Sequence, residues 1–336
     1  MTRTMTRIGV LLNGGDSPGT NALIRALVLR GIRDHGDEFV GFAGGWGGLR
    51  DAEAIDLDEK AVRGVSRLGG AVLGISSVPS LDDEEVRAVH SAIRLSALDA
   101  LVVVGGHRTL ETAGQLHEKG IRVVGVPKSI ENDIGAVDGS LGFATAVEVA
   151  AEGIDRLRTT GDAHHRCTVV EVVGERAGWV ALHAGIATNA HAVLIPEFPQ
   201  TIEAVIDSVS RPLRRGRSPL VVVAEGFRLL TESRQDPAGG ESIAAKLATQ
   251  IGTFAGIEAR AVVLGGMQRG AAPIAADRVL GSGLGRAAIR MLHEGQWGRG
   301  VTTRGSDFVS RALGEIGGQR RSVDREVYAE ACRALS

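Results

Sequence analysis

The chain is short of aromatic rings, of cysteine and of any excess of one charge. Aromatic residues make up 3% of its 336 residues, too few for a platform on which nucleic-acid bases would stack. Lys and Arg number 38 against 40 Asp and Glu, a net of -2, whereas nucleic-acid and membrane-surface binders usually carry a basic excess. Cysteine occurs twice, at Cys167 and Cys332. Two distant cysteines build no disulfide framework, so a reducing compartment is the default. No apolar run approaches the ~18 residues of a membrane span, and no signal-type apolar run follows the start. The expectation is a cytoplasmic protein with neither a nucleic-acid nor a membrane partner.

What is abundant is glycine: 47 of 336 residues, about twice the usual share. No short repeat accounts for it. It points to many positions with unusual dihedrals or close approach to a ligand. At roughly 150 residues per domain, the length suggests about two domains.

Apolar runs at 8–12, 101–104, 123–126, 168–173, 193–195, 220–224 and 261–264 alternate with amphipathic stretches, the first reaching Arg33 and another covering 110–118. Continuous Val/Leu/Ile runs between helices predict parallel strands covered on both faces, hence an α/β chain with two parallel-sheet domains. Ligands of such sheets bind beyond the carboxyl ends of the strands, where the polar clusters fall. Gly14-Gly15-Asp16-Ser17-Pro18-Gly19 joins a strand to a helix and suits a phosphate cradle or, equally on spacing, a capped Gly-rich turn. It is no Walker A loop, because no Gly-Lys-Ser/Thr follows. Gly105-Gly106-His107-Arg108-Thr109 reads as an anion-holding loop or a solvated turn. Pro127-Lys128-Ser129-Ile130-Glu131-Asn132-Asp133 puts a candidate general base beside a cation, though alone it reads more simply as a polar surface loop. Later clusters hold Glu175 and Arg176, then Glu225, then Arg269 with Asp277. Arg166, Arg260 and Arg269 together could clamp a sugar phosphate.

In this order the clusters carry a resemblance. IGVLLNGGDSPGTNALIRALV, VVVGG, VGVPKSIENDI, the GF-x-TA segment at Gly142–Ala146, EVVGERAGWVAL, VLIPE, VVVAEG and VLGGMQRGAAPIAADR resemble the phosphofructokinase family over roughly residues 8–335. The resemblance implies two α/β domains of parallel-sheet type with the active site in the cleft between them. It places a larger donor-binding domain at 1–142 plus about 268–318, and a smaller sugar-phosphate-binding domain at about 143–267 plus 319–336. The implied reaction moves a phosphoryl group from ATP or pyrophosphate to the 1-hydroxyl of fructose 6-phosphate, with Mg²⁺.

The resemblance also implies roles. Glu131, Asp133, Lys128 and Ser129 form the catalytic loop, with Glu131 as base. Gly15, Asp16, Gly106, His107, Arg108 and Thr109 take the donor phosphates, and Asp16 and Asp133 support the metal. Arg166, Glu175, Glu225, Arg260 and Arg269 hold the sugar phosphate. Arg166 and Arg260 match arginines that reach a neighbouring subunit's site, which implies a homodimer or homotetramer.

The chain departs from the family pattern at several of these positions. Glu131 stands where the family has Asp, His107 where it has an acid that organises Mg²⁺, and Glu175 where it has an arginine. Gly266 stands where it has histidine, and Ser77 where many members have an arginine. Imidazole is a poor Mg²⁺ ligand. Arg108 is expected to obstruct the α-phosphate of ATP, and with Lys128 it leans toward pyrophosphate. Three readings stay open: a phosphotransferase acting on a small phosphorylated sugar, a phosphosugar-binding or regulatory relative without catalysis, and an enzyme with different phosphosugar chemistry.

Overall fold

The computed structural model describes residues 6–76, 81–230 and 241–335, so Ser77 lies outside the described residues. The chain divides into two compact units. The first runs to Ile130 and adds Ile134–Thr145 and Arg269–Arg320; the second takes Glu131–Asp133, Ala146–Gln268 and the chain from Arg321 on. The tripeptide 131–133, expected with the first domain, groups with the second unit. Its bonds explain this: the Glu175 N–H donates to the Glu131 carboxylate, and the Arg321 N–H donates to the Asp133 carbonyl.

The strands in chain order are β1 (Arg7–Leu12), β2 (Glu38–Phe42), β3 (Ala54–Asp56), β4 (Ala100–Gly105), β5 (Val123–Pro127), β6 (Cys167–Val172), β7 (Ala192–Leu194), β8 (Leu220–Ala224), β9 (Ala259–Val263), β10 (Arg299–Arg304) and β11 (Asp307–Ala312). The helices are α1 (Thr20–His35), α2 (Trp46–Arg50), α3 (Asp83–Leu95), α4 (His107–Glu118), α5 (Phe143–Ala163), α6 (Trp179–Ala187), α7 (Ile202–Arg214), α8 (Ile243–Ala255), α9 (Gly265–Gly270), α10 (Ala275–His293), α11 (Leu313–Gly318) and α12 (Arg325–Ala334).

The first unit holds a seven-stranded sheet in the order β11-β10-β5-β4-β1-β2-β3. Its central strands run parallel; only the edge strands β11 and β3 pair antiparallel. Side chains of successive strand residues point to opposite faces. Val10, Leu12, Val102 and Val104 therefore join one core with Leu23 and Leu27 of α1 and Leu284 and Ala288 of α10. Leu11, Leu101 and Val103 join the other, with Leu110 and Leu116 of α4. This two-sided burial explains the uninterrupted apolar runs of β1 and β4. Helices α1 and α10 approach closely because α10 offers glycine at the contact: a Cβ on Gly281 would lie 2.5 Å from the Gly19 carbonyl oxygen.

The second unit holds a four-stranded, wholly parallel sheet in the order β7-β8-β6-β9. Val169, Val221 and Val223 pack against Val205 and Val209 of α7 and Leu247 and Ile251 of α8. Strand β9 is the exception: it stands at the edge and is partly exposed along its length. Both units are α/β with largely parallel sheets, as the strand pattern predicts. The short β2 and β3 and the Thr- and Arg-bearing β10 and β11 carried no comparable apolar run. Among the described residues, no helix is long and apolar enough to cross a membrane.

Candidate active-site residues in each unit

In the first unit, three strand ends bring together most of the residues expected to meet donor phosphate. The loop after β1 holds Gly15 and Asp16. The Lys128 ammonium, just past β5, donates to the Gly15 carbonyl. A Cβ on Gly15 would lie 2.6 Å from a terminal nitrogen of Arg269, so glycine there is what admits the guanidinium. The Lys128 N–H bonds the Gly105 carbonyl at 3.0 Å, which ties the loops after β4 and β5 together. Thr109 packs its side chain against Gly105, and Ser129 follows Lys128 in the same unit.

The electrostatics of this cluster are cationic. Lys128 is 3% exposed. Burial pushes its ammonium down to about 8, Arg269 adds to the drop, and Asp16 opposes it. A buried ammonium beside a guanidinium is costly unless an anion accompanies it. Helix α4 adds to the same field. It begins at Gly106 without a side-chain cap or an acidic first turn, and His107 and Arg108 occupy that turn. Cations at a helix N-terminus oppose its dipole, and an anion there relieves both. The His107 Nδ1 lies 3.0 Å from the Gly317 carbonyl. That bond needs Nδ1–H, so a neutral ring keeps its lone pair on Nε2.

In the second unit, carboxylates gather at the ends of β6 and β8. A Glu131 carboxylate oxygen accepts the Glu175 N–H at 3.1 Å. A Glu225 oxygen accepts the Gly174 N–H at 3.2 Å. Gly226 lets the two loops touch, since a Cβ there would lie 1.9 Å from the Glu175 carbonyl oxygen. Glu175 thus contributes its backbone to Glu131, while its exposed side chain sits 3.6 Å from Arg176. Glu131, Glu175 and Glu225 are brought together; Arg166 and Arg260 are not with them, and Arg269, expected with the sugar-phosphate set, falls in the first unit beside Gly15. Arg166 and Arg260 share Glu258, at 3.9 and 2.8 Å, at the start of β6 and on edge strand β9.

Two positioning residues lie in the last of the polar clusters, with no role assigned to either from the sequence. The wholly buried Gln268 accepts the Val173 N–H at 2.9 Å and donates to the Ala146 carbonyl. It sets the start of the Glu175 loop. The buried Asp277 accepts the N–H groups of Gly142 and Thr145, each at 2.8 Å, and the Thr145 hydroxyl. Burial raises the Asp277 carboxyl, and those donors oppose the rise. Each sits beside an arginine, Arg269 or Arg278, in a motif otherwise made of small or apolar residues, and that polar pair was the available signal.

Of the expected metal carboxylates, Asp16 falls in the first unit and Asp133 in the second. Among the described residues, no group of three or more His, Cys, Asp or Glu side chains is placed to hold a metal. With imidazole at position 107, these residues do not fit a protein-built Mg²⁺ cage.

One α/β unit gathers cations around the buried Lys128 and the other orients carboxylates at its strand ends, an arrangement suited to a phosphorylated ligand. A family model described as Phosphofructokinase matches residues 7–292. The pyrophosphate–fructose 6-phosphate 1-phosphotransferase of Amycolatopsis methanolica is 42% identical over 97% of this chain and 98% of its own length. The ATP-dependent 6-phosphofructokinase 3 of Streptomyces coelicolor is 41% identical, with 97% and 98% covered. A phosphofructokinase structure from Pichia pastoris superposes at a TM-score of 0.84 with 26% identity, over all of this chain and 37% of that one. A pyrophosphate-dependent phosphofructokinase from Nitrosospira multiformis shares the fold at a TM-score of 0.86, with 18% identity and 98% and 91% covered. The chain belongs to the phosphofructokinase family.

Proposed function

We propose that this protein is a phosphotransferase that moves a phosphoryl group from pyrophosphate, or from ATP, to a hydroxyl of a small phosphorylated sugar such as fructose 6-phosphate. The observation that carries the reading is the buried Lys128 ammonium, held against the Gly15 loop beside Arg269. It is a buried cation, offset by Asp16 and placed to attract a further anion. The names of the relatives narrow that anion to a phosphoanhydride. Arg108, projecting from the start of α4, favours the smaller donor.

In this reading Glu131, oriented by the Glu175 N–H, takes the proton of the acceptor hydroxyl as its oxygen attacks phosphorus. The bond to the bridging oxygen breaks, and the leaving group, phosphate from pyrophosphate or ADP from ATP, carries away the electron pair. Lys128, Arg108 and Arg269 neutralise the charge that spreads over the transferring group. Asp16 keeps the Lys128 ammonium protonated by opposing the effect of burial. Glu225 and Glu175 contact the sugar hydroxyls. No step is assigned to Mg²⁺.

Arg166 and Arg260, which share Glu258 beside the exposed edge of β9, are proposed to hold the distal phosphate for a second copy of the chain. The working unit is then a homodimer or homotetramer.

Phosphorus NMR tests the reading: folded protein with fructose 6-phosphate, in separate tubes with pyrophosphate and with ATP, each with and without a divalent ion. A bisphosphate signal with pyrophosphate is expected. No product in any tube would transfer support to a phosphosugar-binding role, the reading that His107 in place of an acid favours.

A further inference from the structure

Away from these loops, α10 carries cations that the helix itself does not explain. Arg286, Arg290 and His293 stand at i, i+4 and i+7, on one face. Like charges four residues apart oppose one another. The helix dipole rewards a cation only in the last turn, which covers Arg290 and His293 but leaves Arg286 out. Arg290 is held by one hydrogen bond, to the Phe308 carbonyl at 3.4 Å. Arg286 has no ion pair among the described residues. The neighbouring cation on α1 is different: Arg30 is paired with Asp34 one turn on.

This stripe opens on a cavity of about 590 Å³ that lies wholly within the first unit. The volume is in the usual range for small-ligand sites. Phe308 forms an apolar floor. It reaches α10 because residue 283 is glycine, where a Cβ would lie 2.1 Å from the ring. One wall is a stack of His35 on His293, with ring centroids 3.6 Å apart and planes 11° from parallel. The stack is anchored from below, where His293 Nε2 lies 2.8 Å from Asp37 Oδ2. The other oxygen of that buried carboxylate has no hydrogen-bond partner. A fixed flat wall, an apolar floor and two guanidiniums on adjacent turns make a site with a charged end and an apolar end.

We propose that this cavity binds a small organic phosphate. Arg286 and Arg290 take the phosphate by charge-assisted bonds, and the planar or apolar body of the ligand lies over Phe308 against the imidazole stack. The site is separate from the Lys128 cluster and does not depend on the reaction proposed above.

Calorimetric titration with AMP, and with inorganic phosphate alone, tests it on three proteins: the unaltered chain, Arg286→Ser/Arg290→Ser, and Arg269→Ala. Both exposed arginines lie off the core, so the double variant should melt at the unaltered temperature and keep its turnover. Expected are AMP binding that survives Arg269→Ala, a loss of at least tenfold in the double variant, and phosphate binding at least tenfold weaker than AMP. Phe308→Ala should weaken AMP more than phosphate, which separates loss of the floor from loss of charge. The proposal is overturned if the unaltered chain binds no AMP at millimolar concentration. It is equally overturned if the double variant binds AMP as the unaltered chain does, or if Arg269→Ala alone abolishes binding.

Discussion

The first unit gathers cations at its strand ends and the second gathers carboxylates, and the two sets are held by different means. Lys128 and Arg269 converge on a glycine and point at one another's field. Burial and the nearby guanidinium both disfavour the Lys128 ammonium, and Asp16 opposes them. Glu131 and Glu225 instead each rest on a backbone N–H at a strand end, a contact that orients a carboxylate without neutralising it. Charge segregated this way suits a reaction in which one partner brings negative charge and the other gives up a proton.

The largest effect should come from the second unit. Glu131→Gln keeps the shape and the contact with the Glu175 N–H but removes the base. General-base catalysis contributes about 10²–10⁴-fold, so kcat should fall by that factor while the KM for the donor stays within about threefold. If steady-state kinetics show an unchanged kcat, the acid–base assignment of the carboxylate set is wrong.

The first unit should respond through pH. The folded Lys128 titrates at about 8, below its ordinary 10.5. Between those values the unfolded chain holds a proton that the folded chain releases, so stability rises with pH across that window. Below about pH 8 the penalty is fully present, at roughly 3 kcal/mol for a shift of this size. Lys128→Met escapes it. Urea denaturation should therefore show the variant gaining most on the unaltered protein near pH 7, with the gap closing toward pH 10.5. Phosphate affinity should run the other way, weakening above pH 8 in the unaltered protein and being weak at every pH in the variant. A stability gap independent of pH would mean that Lys128 is not carrying this charge.

A smaller change should show how the carboxylates are aimed. Gly226→Ala places a methyl 1.9 Å from the Glu175 carbonyl oxygen, so one loop must move. Overpacking of this kind costs about 1–3 kcal/mol. The displaced Glu175 N–H should also release Glu131, so kcat should fall with little change in donor binding. A stable variant of full activity would show that the 174–176 loop does not position the base.

The parts of this arrangement that could be read from the chain are those that local pattern determines. Strands β1, β4, β5, β6 and β8 are buried on both faces, which writes itself as continuous apolar runs. The Gly-rich and acidic clusters fall where such strands end. What could not be read depends on contacts distant in sequence. Gln268 reaches a backbone N–H 95 residues away, and Asp277 reaches one 135 away. The Lys128–Gly15 contact spans 113 residues. No spacing rule announces such pairs. Glu175 shows the same limit from the other side: its charge stood out in the sequence, while its structural contribution is a backbone N–H.

The smallest folding effect, and the sharpest question, belongs to Arg260. It is 64% exposed and pairs with a Glu258 that is 55% exposed. Exposed pairs contribute about 0–1 kcal/mol, so Arg260→Ser should leave the melting temperature nearly unchanged. Its cost should appear elsewhere if a second copy of the chain completes the phosphate-holding set. The KM for the sugar phosphate should then rise at least tenfold at constant kcat, because the lost guanidinium binds a group that does not react. Arg166→Ser should do the same, since Arg166 shares the carboxylate that aims Arg260. Light scattering on both variants separates loss of the phosphate contact from loss of the assembly. If KM and assembly both stay as they were, Arg166 and Arg260 are a solvated rim. The second unit would then hold its acceptor with carboxylates alone, and the charge division between the units would be complete.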